Sequence, residues 1–277
     1  MMVLAVALDV LREASKRRWF LALGIIVTGA LVLCALGLRL DIVDGALAAT
    51  RLFGKSLDSD IRPAEVVLGT AYRAVAYFVF YGGLAFGIVA CADFGPELFS
   101  PGRIEHLLAL PVRRWELLFG TYLGVVSLAA VGSIYGTSGL ALVLGVKTGI
   151  WTLRPVVAGL LSVVAFSGIY GAMLATALVV RAAPLGAAVG TSLLFMSVLS
   201  SHRVELATLF ERGGSRALFL AVTLPFPRAA RLAEVAADIA GNARVPLADL
   251  VRLVTGFALF GVAALALGVW RFEQKDF

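Results

Sequence analysis

Three stretches of the chain carry residue types able to do chemistry. Ala49-Thr-Arg-Leu-Phe-Gly-Lys55-Ser56 spells a loosened phosphate-loop pattern, with alanine replacing the first glycine. Such a loop works by following a buried strand and opening a helix whose N-terminus holds phosphate. Here it falls between two apolar segments, so chance in a Gly- and Ala-rich chain accounts for it better. Gly136-Thr-Ser138-Gly139 presents a serine nucleophile, which needs a histidine base within hydrogen-bond reach. Of the two histidines, His106 falls in a polar segment and His202 past the fifth apolar one, leaving the serine without its base. The third stretch is the most densely charged: Asp93-Phe-Gly-Pro-Glu97-Leu-Phe-Ser100-Pro-Gly-Arg103-Ile-Glu105-His106-Leu-Leu-Ala-Leu110-Pro111-Val-Arg113-Arg114-Trp-Glu116. Its charges are of both signs, a mixed ridge denser than a simple interfacial connector accounts for.

The elements that must position these residues follow from composition. Of 277 residues 60% are hydrophobic and only 15% charged, and the mean hydropathy is +0.95. That excludes an ordinary soluble domain and a disordered chain alike. Six segments are long and apolar enough to cross a bilayer: Trp19 to Leu38, Ala74 to Ala92, Leu117 to Val146, Val156 to Val180, Leu185 to Ser200 and Leu253 to Trp270. The third is long enough to require tilting, kinking or extension beyond the membrane, while the fifth is barely long enough. The expected fold is an all-α polytopic membrane protein, a single transmembrane domain over 1–277. The first span is read as a retained helix, not a signal peptide. Lys16, Arg17 and Arg18 beside it favour cytoplasmic termini, and six spans return the C-terminus to the same side.

The net charge of +6 could suggest nucleic acid, but the basic residues are scattered among acids with no aromatic platform, so no nucleic-acid partner is expected. Basic ends meeting lipid headgroups explain the charge. Cys34 and Cys91 fall in opposite leaflets, too far apart to pair, and no Cys/His spacing assembles a metal site or calls for a cofactor. No ionisable residue lies in the middle third of a span, where coupled carriers keep theirs. Gly83/Gly87, Gly120/Gly124, Gly132/Gly136 and Gly186/Gly190 predict close helix packing.

Two amphipathic helices are expected at the membrane surface. Residues 1–18 place Val3, Val6, Ala7, Val10 and Leu11 on one face, against Asp9, Arg12, Glu13 and Lys16 on the other. Within 93–116, Ser100 as N-cap and Pro101 start a short helix, with Ile104, Leu107 and Leu108 opposite Arg103, Glu105 and His106 until Pro111 breaks it. The segment 201–252 is long for a loop. Its apolar patch Ala217 to Leu224 is too short to cross, and a helical pattern runs from Arg228 to Val235.

The chain here resembles the permease subunits of type-2 ATP-binding-cassette (ABC) exporters. The similarity rests on Glu97, on Gly102, on Leu107-Leu108-Ala-Leu-Pro111-Val112-Arg113-Arg114 and on Leu118-Phe119-Gly120-Thr121, where the family favours lysine at the last position. The six-span layout, the N-terminal helix and the charged tail Trp270-Arg-Phe-Glu-Gln-Lys275-Asp276-Phe are also similar. The resemblance implies a subunit with no ATPase site of its own. It would pair with a second permease, identical or a paralogue, and seat on a dimer of cytoplasmic ATPase subunits through 93–116. Glu97, Arg103, Glu105, His106, Arg113, Arg114 and Glu116 would then be coupling residues. A path between the two permeases would be lined from the second and fifth spans by Tyr77, Tyr81, Thr191, Ser192 and Ser197. Re-entrant helices in 201–252 would gate the outer exit or meet a periplasmic partner. An intramembrane serine protease of rhomboid type, built on Gly136-Thr-Ser138-Gly139, and a non-transporting membrane scaffold are the alternatives.

Overall fold

A computed structural model describes residues 2–43, 46–52, 55–58, 62–98, 113–180, 182–210 and 213–274. The chain is a multi-pass membrane protein whose six long apolar helices are α2 (Arg18–Gly37), α3 (Ala64–Cys91), α5 (Arg114–Thr148), α6 (Arg154–Val180), α7 (Ala183–Ser201) and α11 (Leu247–Glu273). Successive crossings alternate in direction, so α1 (Met2–Lys16), the short α4 (Phe94–Glu97) and the end of α11 meet on one side, the terminal face. The helices α8 (Arg203–Leu206), α9 (Gly214–Thr223) and α10 (Ala229–Ala240) occupy the opposite, far face.

The spans fall close to where hydropathy places them; α11 starts six residues before Leu253, and three further points bear on the fold. α3 begins ten residues before Ala74, because Glu65 and Arg73 lower its hydropathy without opposing helix formation. Arg73 therefore lies inside a helix rather than at its end. α7 has 19 residues, enough to cross. α5 runs 35 residues without interruption, about 52 Å against a hydrocarbon core of about 30 Å, so it projects beyond the membrane. Gly149 ends it with φ 73°, its N–H donating to the Gly145 carbonyl over 2.8 Å.

Between α2 and α3 the chain forms a small antiparallel sheet of β1 (Leu38–Val43), β2 (Ala46–Leu52), β3 (Lys55–Asp58) and β4 (Arg62–Pro63). β2 pairs with β1 in the register Leu38↔Leu52 to Val43↔Ala46, and also pairs with β3 and β4. Lys55 and Ser56 thus continue as strand instead of opening a helix, and the phosphate-loop pattern lacks the element that would hold phosphate.

α6 is the most enclosed span, in contact with α3, α5, α7, α10 and α11. Its crossing with α11 is made by backbone: a Cβ on Gly171 would stand 2.8 Å from the Gly261 carbonyl oxygen, and one on Gly168 would stand 3.1 Å from the Phe257 carbonyl oxygen. The Gly120/Gly124 pair also serves close packing, but its partner is the surface helix rather than a span. Cβ atoms there would press into Val6 and Val10 of α1. Leu4 and Leu8, at right angles to that buried face, are left exposed. α1 thus offers one apolar face to α5, a second to lipid, and Arg12 and Lys16 to water. Gly83 and Gly132, by contrast, face open space.

Candidate functional site

The charged segment 93–116 is described at its two ends, 93–98 and 113–116; its expected central helix, with Arg103, Glu105 and His106, lies outside the described residues. Both ends are fastened to the bundle. At the first, Phe94 and Leu98 are buried, and Gly95 lies against Leu174 and Ala177 at the end of α6, where only a residue without a side chain fits. This seats α4 on the most enclosed span. Arg17, in the break between α1 and α2, stacks its guanidinium 4.1 Å from the Phe94 ring centre. It donates to Glu13 over 2.9 Å, bonds Glu97 and lies 3.6 Å from Asp93. One mostly buried cation, 17% exposed, thereby joins α1, α2 and the turn after α3. Phe20 extends the junction, its ring 6.3 Å from both Phe86 and Phe94.

At the second end, the Arg113 backbone N–H donates to the Glu116 carboxylate over 2.9 Å, satisfying a donor at the start of α5. Arg114 donates to the Phe272 carbonyl over 3.2 Å and to that of Glu273 over 3.5 Å, with its guanidinium 5.9 Å from the Phe272 ring. A cation on the C-terminal carbonyls of α11 is favoured by the helix dipole. Glu97, Arg114 and Glu116 are thus engaged inside the chain. Arg113 is exposed.

The far face is built around α10. Leu232, Ala233 and Ala236 are fully buried against α3, α6 and α7. The helix is held at both ends. The Ser201 hydroxyl at the end of α7 accepts from the Ala230 N–H over 3.0 Å and the Arg231 N–H over 3.4 Å, while Ser200 donates to the Phe226 carbonyl over 2.9 Å. At the other end Asp238 pairs with Arg73 of α3, and a Cβ on Gly69 would lie 3.0 Å from the Gly241 carbonyl. Asn242, at φ 66°, turns the chain out of the helix.

Tyr77 and Tyr81 stand on α3 within electrostatic reach of Glu234 on α10. Tyr77, Thr191 and Ser192 lie on uncovered faces of α3 and α7, whereas Ser197 is buried within the bundle. Ser138 donates to the Tyr135 carbonyl of its own helix, and His202 at the far face lies 3.5 Å from Glu205, so neither is directed at the other. Among the described residues no cluster of three or more His, Cys, Asp or Glu could hold a metal. Cys34 and Cys91 are free.

Sequence reasoning used Arg17 only as a marker of sidedness and gave no role to Arg73 or Asp238. The available signal was a cation at the end of an amphipathic helix and an acid within an otherwise Ala-rich one. No family model matches the chain, and no curated protein matches it.

Proposed function

We propose that this chain is the membrane-spanning permease subunit of a type-2 ABC exporter, set in the cytoplasmic membrane with both termini inside and driven by ATP hydrolysed on a separate subunit. The observation that supports this reading is the double fastening of 93–116. A partner that displaces its central part pulls at one end on α4, and through Arg17 on α1 and α2; at the other end it pulls on α5, and through Arg114 on α11. A simple connector between spans has no need of such ties. Arg103, Glu105, His106 and Arg113 are the groups proposed to meet the ATPase, and Glu97, Arg114 and Glu116 pass its displacement into the bundle.

In this reading a second permease faces the uncovered sides of α3 and α7, and Tyr77, Tyr81, Thr191 and Ser192 line the substrate path between the two copies; Ser197, inside the bundle, packs rather than lines. Purification in mild detergent should recover a soluble ATPase with the chain. Arg113→Glu, at an exposed position, should abolish ATP-driven transport in reconstituted vesicles while leaving the helical circular dichroism unchanged. Recovery of no nucleotide-binding partner, or full coupling in a triple charge reversal at Arg103, Glu105 and Arg113, would sink the proposal.

A further inference from the structure

The last turns of α6 and α11 leave an apolar groove of about 340 Å³ open to the outside of the bundle. It lies at the terminal face, because Gly95 of α4 sits against Ala177 of α6, and Arg114 at the start of α5 donates to the Phe272 and Glu273 carbonyls that end α11. Ala175 and Gly268 make its floor: a Cβ on Gly268 would stand 3.2 Å from Ala175. Val179, Val180 and Leu267, all exposed, make its walls. Thr176 adds no free polar group, since its hydroxyl donates to the Ala172 carbonyl over 2.8 Å. Ala175 and Val179, Thr176 and Val180, and Leu267 and Arg271 are pairs four residues apart, so the walls follow the helix axes for about 8 Å.

Of the residues that line the groove only Arg271 is charged, and it stands at the membrane-surface end. An arginine there keeps its stem along apolar surface and its head in the polar layer. Its guanidinium lies 5.4 Å from the ring of Trp270, an exposed residue of the type that settles at headgroup level. Among the described residues no carboxylate lies within ion-pair distance of Arg271. Nor does any acid line the groove to receive the ammonium of a zwitterionic lipid head. An apolar seam that runs along the spans, with a cation at headgroup depth, is the complement of an anionic amphiphile.

We propose that the groove between the ends of α6 and α11 binds an anionic phospholipid of the terminal-face leaflet, with its phosphate on Arg271 and an acyl chain against Val179, Val180 and Leu267. The site stands independently of the transport reading. The test is thermal unfolding of the purified full chain in zwitterionic detergent with added phosphatidylglycerol, phosphatidylcholine or glycerol 3-phosphate. Phosphatidylglycerol should stabilise most, phosphatidylcholine less, and glycerol 3-phosphate, a head without a chain, not at all. Arg271→Gln should abolish the preference for phosphatidylglycerol and raise its half-saturating concentration about tenfold, whereas Arg271→Lys should keep the preference. Val179→Trp, which fills the groove from its wall, should weaken both lipids and leave the preference between them. Arg244→Gln on the far face and Leu259→Trp on α11 outside the groove should change neither. All four positions are exposed, so helical content should be the same in every variant. Equal stabilisation by the two lipids, an effect of glycerol 3-phosphate matching that of phosphatidylglycerol, or a loss in Arg244→Gln as large as in Arg271→Gln overturns the proposal.

Discussion

The two faces of the bundle spend their few charges differently. On the terminal face a single cation, Arg17, is shared among Glu13, Asp93 and Glu97 and covered by Phe94, so that one residue holds three elements together. On the far face, among the described residues, the ion pair between α3 and α10 is half-exposed, Arg73 with Asp238, and the buried side of α10 supplies most of the contact. Charge organises the terminal face and apolar contact the far one.

This contrast can be broken at graded cost. Leu232→Ala should open a cavity under α10 and destabilise the protein by about 2–4 kcal/mol, seen as an earlier thermal transition in detergent. Arg17→Ala should cost on the order of 2 kcal/mol, less than a fully buried pair because Asp93 and Glu97 are partly exposed, and should raise hydrogen exchange in α1 and α4 before α10. Gly124→Val should force Val10 away at about 1–3 kcal/mol and increase protease access to α1 while the six spans stay intact. Ser201→Ala should leave two amides of α10 without their acceptor, at about 1 kcal/mol, and raise exchange at Ala230 and Arg231 alone. Arg73→Ala should cost below about 1 kcal/mol and lose its effect in high salt; a larger, salt-insensitive loss would erase the distinction between the faces.

The spans were legible because a bilayer imposes length and hydropathy on each one separately, and neither requirement involves a partner. Beyond the bilayer the code weakens. The first turns of α3 carry Glu65 and Arg73, which hydropathy treats as loop although a helix tolerates both. The small sheet is only half-legible: Asp44-Gly45 is a hairpin signal, but only the stretch before it, Leu38 to Ile42, alternates apolar and polar, whereas Ala46 to Leu52 does not. Gly120 and Gly124 announced a close approach, but spacing within one helix says nothing of what approaches, and α1 rather than a span does so. The helical pattern around Arg228–Val235 was readable, while its depth was not, since an Ala-rich amphipathic helix suits a surface and an interior equally well. Arg17 reads as a topology signal in any chain, and only folding brings residues eighty positions later beneath it.

The bare crossing of α6 and α11 also constrains how this molecule can move. Where Gly171 and Gly261 touch through their backbones there are no side chains to change rotamer and none to slide past one another, so the two helices have a single good fit. They form an axle. α2, almost wholly uncovered, meets its neighbour α5 through Val27 against Gly136, Leu31 against Gly139 and the hydrogen bond between Thr28 and Tyr135. Rocking of the bundle is therefore expected at its rim, beyond the Arg17 and Phe20 ties that hold the start of α2, about a centre that stays fixed.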